Sequence, residues 1–237
     1  MNNQELERKV KELEKTVKSL QRLQDIEDIN KLQRAYGYYL TNWMHQEIID
    51  CFSTSAETTL EWPHGTYTGS DGPRQYYGSI NIKEDPEFMH QIMQLSGIVD
   101  IEPDGNHAKG RWWGFGGMAI PVGSMDGTEG EGVDQALSCG IYEMEYVRES
   151  GVWKILKVKW VPVFGGTLEE GWVKPERRAK SKRPRTYSKV TTETWHPAPK
   201  PVNYSYPSGY ILPFHFKHPV TGKKTGEEKR NRKSKLD

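Results

Sequence analysis

Hydrophobic residues near the start of the chain recur at alternating steps of four and three, which is the period of an amphipathic helix. The apolar residues of 4–24 that keep this spacing, with Glu and Lys between them, are Leu6, Val10, Leu13, Val17 and Leu20. Three heptads are too few for a stable solitary helix, so this stripe needs to pack on its own domain or on other subunits. Val at one seam position and Leu at the other favours two strands if the helices run parallel.

The helical period continues through the run DIEDINKLQRAYGYYLTNWMHQEIIDCF. Ile26, Ile29, Tyr36 and Trp43 fall on one face at helical spacing, which indicates that this face packs on a core. A second short helix is predicted over residues 45–53.

After the helices the pattern changes to short segments separated by Gly and Pro turn signals. A strand is predicted at 58–62, a turn region at 63–73, a short helix from Arg74 and a segment of mixed pattern over 85–95. Further strands are predicted over 97–102, 107–115, 138–149 and 151–164, and a Ser-Gly pair before the last strand marks a hairpin. Helices followed by a mostly antiparallel sheet are typical of the α+β class.

The composition of the 237-residue chain suits one domain with polar extensions, since only 35% of residues are hydrophobic although there are 8 Trp, 12 Tyr and 6 Phe. No stretch approaches the length of a transmembrane helix, and the first residues lack the apolar run of a secretory signal. Cys51 and Cys139 are too few for a disulfide framework or a Cys-rich zinc site. We therefore expect a reduced, cytoplasmic protein with no membrane partner.

The net charge of +1 hides an uneven distribution. Residues 174–189 carry a net +7 and residues 218–237 a net +4, which leaves −10 on the rest of the chain. No nucleic-acid-binding module surrounds these basic runs, so solvated arms, or arms docked on an acidic body, are favoured over a nucleic-acid partner. The Pro-rich composition beyond Trp172 predicts an irregular wrap as far as Gly222, followed by a disordered tail.

The common catalytic signatures GxxxxGK[ST], HExxH, GxSxG and CxxC are missing. Two glycine clusters, GFGG at 114–117 and GSMDGTEGEG at 123–132, look like phosphate loops. They are predicted to be hairpin loops, because they lie between strands and are not followed by a helix with Lys. The seven His show no HxH or HxxxH pairing, and we predict no metal site.

The candidate chemistry therefore comes from aromatic and His residues within the core elements. Tyr36 and Tyr39 lie three apart on the apolar helix face beside Trp43, either as core aromatics with satisfied hydroxyls or as phenols in a pocket. His90 lies in the apolar stretch FMHQIM just before a predicted strand, either as a structural residue or as a general base.

On the predicted strands, alternation places Arg111 and Trp113 on one face and Trp112 on the other. The same reasoning groups residues that line either a core or a ligand cavity: Tyr142, Met144 and Tyr146 on one strand, and Leu156, Val158 and Trp160 on the next. Glu61 and Lys159 are charged positions within strands, and either can face solvent.

Several runs resemble SnoaL-like proteins of the nuclear transport factor two-like superfamily over about residues 20–165. They are LQDIEDINKLQRAYGYYL, IIDCF, TTLEW and GTYTG, followed by VDIEPDGNHAKGRWWGF and GIYEMEYVRESGVWKILKVKW. The resemblance implies a cone-shaped α+β barrel in which a curved sheet wraps a long helix around one deep pocket. It also implies a division into a lead-in helix (1–24), a barrel domain (25–172) and a basic C-terminal extension (173–237).

Members of this family include scytalone dehydratase, bile acid dehydratase, ketosteroid isomerase, polyketide cyclases and diarylpropane lyases, which need neither metal nor nucleotide. The resemblance thus implies a cofactor-independent lyase that dehydrates or cleaves a hydrophobic phenolic or polycyclic hydroxy compound. His90 would take or shuttle a proton, Tyr36 helped by Tyr39 would protonate or hydrogen-bond the leaving oxygen, and Arg111 would stabilise an enolate or phenolate. Flat apolar walls would come from Trp43, Trp62, Trp112, Tyr142 and Trp160.

The N-terminal part is most similar to bile acid dehydratase, with Tyr36 at the catalytic tyrosine. Three other functional positions of that enzyme are Thr41, Gly116 and Pro162 here, so its mechanism does not transfer. An isomerase or cyclase, and a non-catalytic binding or assembly protein, stay open as alternatives. The lead-in helix indicates a homo-oligomer, for which the family favours trimers and the Val/Leu seam favours dimers. Residues 206–222 are expected to cover the pocket or clasp a neighbouring subunit.

Overall fold

The computed structural model describes residues 2–79, 85, 87–122, 130–171 and 217–224. Residues 123–129, which hold most of the second glycine cluster, and most of the Pro-rich extension, including the predicted disordered tail, lie outside the described residues. Within the described part of the chain, no helix combines the length and apolarity needed to cross a bilayer.

One continuous helix, α1 (Asn3–Thr41), joins the predicted lead-in helix to the helical run that follows it. The side chain of Asn2 caps its start by accepting a hydrogen bond from the Glu5 N–H at 2.8 Å. Residues 3–24 are exposed, and burial begins at Asp25. The short helix α2 (His45–Ile49) follows, as predicted but four residues shorter.

Six strands form a single curved, open sheet in the order β2-β1-β6-β5-β4-β3. All neighbours are antiparallel except β1 and β6, which run parallel. A third helix, α3 (Gly72–Ser79), lies between β2 and β3 in the chain. The six strands are β1 (Thr59–Trp62), β2 (Gly65–Thr68), β3 (Met89–Ile101), β4 (His107–Pro121), β5 (Val133–Glu149) and β6 (Val152–Gly166). The predicted α+β class is thereby confirmed.

The core lies between the concave face of this sheet and the second half of α1. Ile29, Leu32, Tyr36 and Leu40 of α1 are buried there in one cluster with residues of β3, β4, β5 and β6. On β5 the predicted inner face of Tyr142, Met144 and Tyr146 is confirmed. On β6 the prediction is corrected, because a bulge opposite Glu145 and Tyr146 shifts the alternation and brings Ile155 rather than Leu156 into the core cluster.

A buried chain of hydrogen bonds ties α1 to the sheet. The Trp112 indole donates to the Tyr146 hydroxyl at 3.1 Å, and that hydroxyl donates to the Gln33 carbonyl at 2.7 Å. Gln33 in turn donates to the side-chain oxygen of Gln94 at 2.6 Å. Because α1, β3, β4 and β5 each contribute one residue, the chain fixes how far the helix lies along the sheet.

A segment from near the end of the chain, residues 217–224, packs on the corner between α1 and α2. His218 is buried, stacks on Tyr39 with ring centroids 5.1 Å apart, and donates from Nε2 to the Glu47 carbonyl at 2.8 Å. Its Nδ1 accepts from the backbone N–H groups of Val220 and Thr221. Within the residues described, this part of the extension clasps its own chain.

The Ser-Gly hairpin prediction is confirmed, since Ser150 (φ 50°) and Gly151 (φ 81°) join β5 to β6 with the two positive φ angles of a type I′ turn. The predicted turn region 63–73 contains a short strand, β2, that pairs with β1. The mixed segment 85–95 is also corrected, because β3 already begins at Met89 and His90 lies inside the strand. Glu61 and Lys159 pair with each other at 3.1 Å.

The GFGG cluster is part of β4, not a loop. The reason is the packing of rings on the inner face of the sheet. A Cβ at Gly114 would lie 2.5 Å from the Trp160 ring and 2.8 Å from the Tyr142 ring, and a Cβ at Gly140 would also overlap the Trp160 ring. Glycine at these positions lets two large rings lie across the strands where side chains would otherwise stand.

Gly114→Ala is expected to destabilise the protein by about 1–3 kcal/mol, because the new methyl group overpacks the Trp160 and Tyr142 rings. Gly117→Ala is the matched control, since the nearest atom to its Cβ would be 3.6 Å away, an ordinary contact. Denaturant unfolding of both variants measures the difference. Equal stabilities would contradict the ring packing described here.

Candidate functional site

The indole of Trp43 lies at the end of α1 and is aimed by a helix stop. The Trp43 N–H bonds the Leu40 carbonyl, and the Met44 N–H bonds the Tyr39 carbonyl, both at 3.0 Å. This is the Schellman pattern, in which the left-handed position is normally Gly. Here Trp43 occupies it with φ 45°, a conformation that costs a non-glycine residue about 1 kcal/mol or more. Holding the Trp43 ring in this one direction therefore lowers the stability of the fold.

Four rings of the described residues contact the Trp43 indole at edge-to-face angles, and that of His45 is the most distant, at 6.3 Å. The Trp43 centroid is 5.8 Å from Tyr77, 5.5 Å from Phe88 and 5.7 Å from His90. The Tyr77 hydroxyl lies 2.6 Å from the Tyr36 hydroxyl. We call Tyr36, Trp43, Tyr77, Phe88 and His90 the aromatic cluster. It brings Tyr36 and His90, the phenol and the imidazole predicted from the sequence, into one group, and Tyr77 is the unpredicted hydroxyl partner of Tyr36.

Further rings continue from the aromatic cluster towards β1 and β6. Tyr76 contacts Tyr77 at 4.8 Å and stacks on Trp62 at 4.9 Å. The pairing of Glu61 with Lys159 places Trp62 beside Trp160, whose ring is 4.7 Å from that of Tyr142. These rings, which we call the walls, lie together at the end of the sheet where β3 begins and β6 ends.

Three buried polar atoms of the aromatic cluster and the walls have no hydrogen-bond partner among the residues described: His90 Nδ1, Trp43 Nε1 and Trp62 Nε1. An unpaired buried polar group costs about 1–3 kcal/mol, and such groups in native proteins call for a water or a ligand. Two of the three belong to rings in direct contact, Trp43 and His90. The arrangement is therefore equipped to hydrogen-bond a bound molecule.

Burial sets the protonation states of the cluster. It lowers the pKa of His90 from its ordinary value of 6.5 to about 4, so the imidazole is neutral at pH 7. Burial also raises the pKa of Tyr36, with a smaller contribution from nearby Tyr142, and it raises that of Tyr77. Both phenols therefore stay protonated, and only one of the two hydroxyl protons is used in the bond between them.

Within the described ranges, no group of three or more His, Cys, Asp or Glu side chains is placed so that it could hold a metal ion. The aromatic cluster itself contains one imidazole and no carboxylate. What this arrangement can do chemically is to accept a proton at a neutral imidazole and donate hydrogen bonds from phenol and indole groups.

The structure brings most of the predicted site residues together. Tyr36, Trp43 and His90 are in the aromatic cluster, and Trp62, Tyr142 and Trp160 form the adjoining walls. Tyr39 lies elsewhere, with its ring stacked on His218 at the α1–α2 corner. Trp112 takes the face opposite Arg111, as predicted, but it is buried in the core, where its N–H donates to Tyr146 in the hydrogen-bond chain to Gln33.

Arg111 is the clearest departure from the predicted site. It shares a face with Trp113, as predicted, and that face is the exposed outer side of β4. The guanidinium pairs there with Glu143, the residue directly opposite on β5. Because alternate residues of a strand point to opposite faces, Arg111 cannot reach the concave side that holds His90.

Sequence reasoning missed Tyr77, Tyr76 and Phe88. Tyr77 is the hydroxyl partner of Tyr36 although the two are 41 residues apart, and periodicity carries no signal for such a pair. The one available hint was the Tyr-Tyr step of the run RQYYGSINI, which had been assigned to a short helix without a role. Phe88 lies just before β3, in the segment whose pattern was mixed.

The SnoaL-like domain model matches residues 21–159, more than half of the chain. The chain therefore belongs to the SnoaL-like family, which confirms the resemblance found in the sequence. No curated protein matches it.

Solved structures with similar folds include several of the nuclear transport factor two-like type. A candidate scytalone dehydratase from Novosphingobium aromaticivorans aligns with a TM-score of 0.50 and 16% identity, over 68% of this chain and 99% of that one. A LinA-type3 hexachlorocyclohexane dehydrochlorinase from Novosphingobium barchaimii has a TM-score of 0.46 and 18% identity, over 66% and 99% of the two chains. The first likeness shows that the fold is shared.

Two substitutions of Trp43 separate the contribution of its ring to stability from that of its backbone conformation. Trp43→Ala loses the ring and keeps the left-handed strain, whereas Trp43→Gly loses the ring and relieves the strain. Both are expected to be less stable than the parent protein, by about 3–5 kcal/mol for the Ala variant. The Gly variant should be about 1 kcal/mol more stable than the Ala variant in denaturant unfolding. The opposite order would contradict a left-handed Trp43.

Burial of His90 makes stability depend on pH in a defined window. In the unfolded chain, His90 binds a proton below its ordinary pKa of 6.5. In the folded protein, the same imidazole stays neutral until about pH 4. The free energy of unfolding therefore falls as pH drops from 6.5 to 4, by up to about 1.4 kcal/mol per pH unit. Buried His218, whose pKa is also lowered by burial, acts in the same direction. His90→Phe should make the measured slope shallower, and an unchanged slope would contradict the burial.

Proposed function

We propose that this protein is a cofactor-free lyase that eliminates water from, or cleaves a C–C bond in, a hydrophobic phenolic or polycyclic hydroxy compound. The observation that carries the proposal is the neutral His90 imidazole, whose buried Nδ1 has no partner among the residues described and whose ring contacts Trp43, in the same aromatic cluster as the Tyr36–Tyr77 pair. Membership of the SnoaL-like family and the fold shared with a candidate scytalone dehydratase support it.

His90 would act as the proton carrier in this scheme. Its neutral ring takes a proton from the carbon next to the one that bears the hydroxyl, and the electron pair of that C–H bond forms the new double bond. The C–O bond breaks, and the imidazolium returns the proton to the departing oxygen, so the products are an unsaturated compound and water. The buried imidazolium is costly, and this favours rapid return of the proton.

The Tyr36–Tyr77 pair would hold the leaving oxygen. One hydroxyl donates to the other across 2.6 Å, which leaves the second proton free for a ligand. Because burial raises both pKa values, the phenol acts as a hydrogen-bond donor and keeps its proton. Hydrogen bonding of developing charge in a site sheltered from water is worth several kcal/mol in comparable enzymes.

The walls favour a flat and uncharged substrate. Trp62 with Tyr76, and Tyr142 with Trp160, present ring faces, and the aromatic cluster contains no carboxylate or permanent cation. The indole N–H groups of Trp43 and Trp62 are donors suited to hydroxyl or carbonyl oxygens of such a compound.

A binding role without turnover is the second candidate. It is favoured by one observation, namely that a pKa of about 4 makes His90 a weak base near neutral pH. An isomerase or cyclase would use the same proton carrier without expelling a group.

The test is a turnover screen in which EDTA-treated protein is incubated with phenolic dimers, hydroxysteroids, bile acid derivatives and polyketide-like aromatics, and the products are read by mass spectrometry. We expect loss of water, or of a carbonyl fragment, from one class. His90→Gln should reduce the rate by about a hundredfold or more, because the proton carrier is gone. Tyr36→Phe should reduce it less, since one phenol remains.

Arg111→Gln is the matched control, because Arg111 lies on the outer face and its exposed ion pair contributes little stability. Its rate should equal that of the parent protein. A product of unchanged mass would replace the lyase proposal by an isomerase or cyclase. Ligand retained without conversion would replace it by the binding role.

A further inference from the structure

The first part of α1 presents an uncovered apolar stripe. Residues 3–24 project from the domain as a regular, exposed helix. The exposed fractions along the stripe are large: Leu6 47%, Val10 45%, Leu13 64%, Val17 62% and Leu20 60%. A one-sided apolar face of this length on a preformed helix marks an interaction surface.

The spacing of the stripe gives each residue a heptad position. Val10 and Val17 occupy position a, and Leu6, Leu13 and Leu20 occupy position d. Valine at a with leucine at d favours parallel two-stranded coiled coils. Nucleation is not an obstacle, because the buried half of α1 already holds the helix and Asn2 caps its start.

The charges beside the stripe distinguish the direction of the second helix. In a parallel pair, position g of one helix meets position e of the next heptad in the other, which brings Lys9 to Glu14. In an antiparallel pair, e positions meet each other, and these hold Glu7 and Glu14. Opposite charges therefore meet in the parallel arrangement and like charges in the antiparallel one. Among the residues described in the single chain, the ion pair that Lys9 makes is an exposed one with Glu5, at 3.8 Å.

We propose that residues 3–24 dock onto the same residues of a second copy of this chain as a parallel, two-stranded coiled coil. The seam is formed by Val10, Val17 and the three leucines, and Lys9 pairs with Glu14 across it on both sides. The coil is about 30 Å long and joins two domains at the same end. The inference is independent of the reaction proposed above.

A second apolar surface of the chain competes for the same stripe. The outer face of the sheet exposes Leu95 and Trp113, which are cross-strand neighbours, and Val161 lies in the same row. A stripe docked there in a partner molecule would also give a dimer. The two modes differ in whether the same residues of two stripes face each other.

The experiment measures the mass of the full-length protein in solution and tests which residue of the second copy lies opposite Val10. Light scattering should give twice 27.3 kDa. Leu13→Asp should give the monomer mass with an unchanged far-UV circular dichroism spectrum, since Leu13 contacts nothing in the domain that it would disrupt. Lys15→Asp, on the opposite side of the helix, should leave the dimer intact. A monomeric or trimeric parent protein would overturn the proposal.

Val10→Cys should form an intermolecular disulfide on mild oxidation, because equivalent a positions meet only in a parallel pair in register. Lys15→Cys should not, and the native Cys51 and Cys139 are buried. A dimer in which Val10→Cys fails to cross-link is antiparallel or docked on the sheet, and either result would overturn the proposal. Lys9→Glu should weaken the dimer by roughly fivefold, and adding Glu14→Lys should restore it.

Discussion

The whole arrangement depends on the burial of the second half of α1 across the concave face of the sheet. This contact supplies most of the core, and burying apolar surface of this kind is the main favourable term in folding. The hydrogen-bond chain through Gln33 then fixes the position of the helix along the sheet. Because this position is fixed, the end of the helix is fixed as well, and so is the Trp43 ring that follows it. The site and the fold are therefore held by the same contact.

The aromatic cluster combines features that an optimised core would avoid. Trp43 adopts a left-handed backbone, and His90 and Trp43 bury nitrogen atoms without partners among the residues described. Each of these lowers stability, and they occur within one group of touching rings. Strain and unsatisfied polar groups that coincide in this way are typical of functional sites. Elsewhere in the core, the Trp112 indole and the Tyr146 hydroxyl both have partners, in the chain that leads to Gln33.

Where a single local pattern determines an element, the sequence was sufficient to predict that helix or turn. The helical period predicted α1, and the Ser150–Gly151 turn predicted the β5–β6 hairpin. The start of β3 was missed because His90 interrupts its apolar pattern. GFGG was misassigned because glycine normally ends a strand, whereas Gly114 is kept within one by the Trp160 ring, 46 residues later in the chain. Contacts made at such separations, including that of Tyr77 with Tyr36, leave no periodic trace in the sequence.

The clasp made by His218 has a consequence for the order in which the chain can be completed. Tyr39 and Cys51 belong to the first quarter of the sequence, yet His218, near its end, is one of the residues that cover them. During synthesis, His218 can therefore cover the corner between α1 and α2 only after the chain has grown by 167 residues beyond Cys51. The cover over the end of the first helix is thus supplied by a residue translated long after that helix.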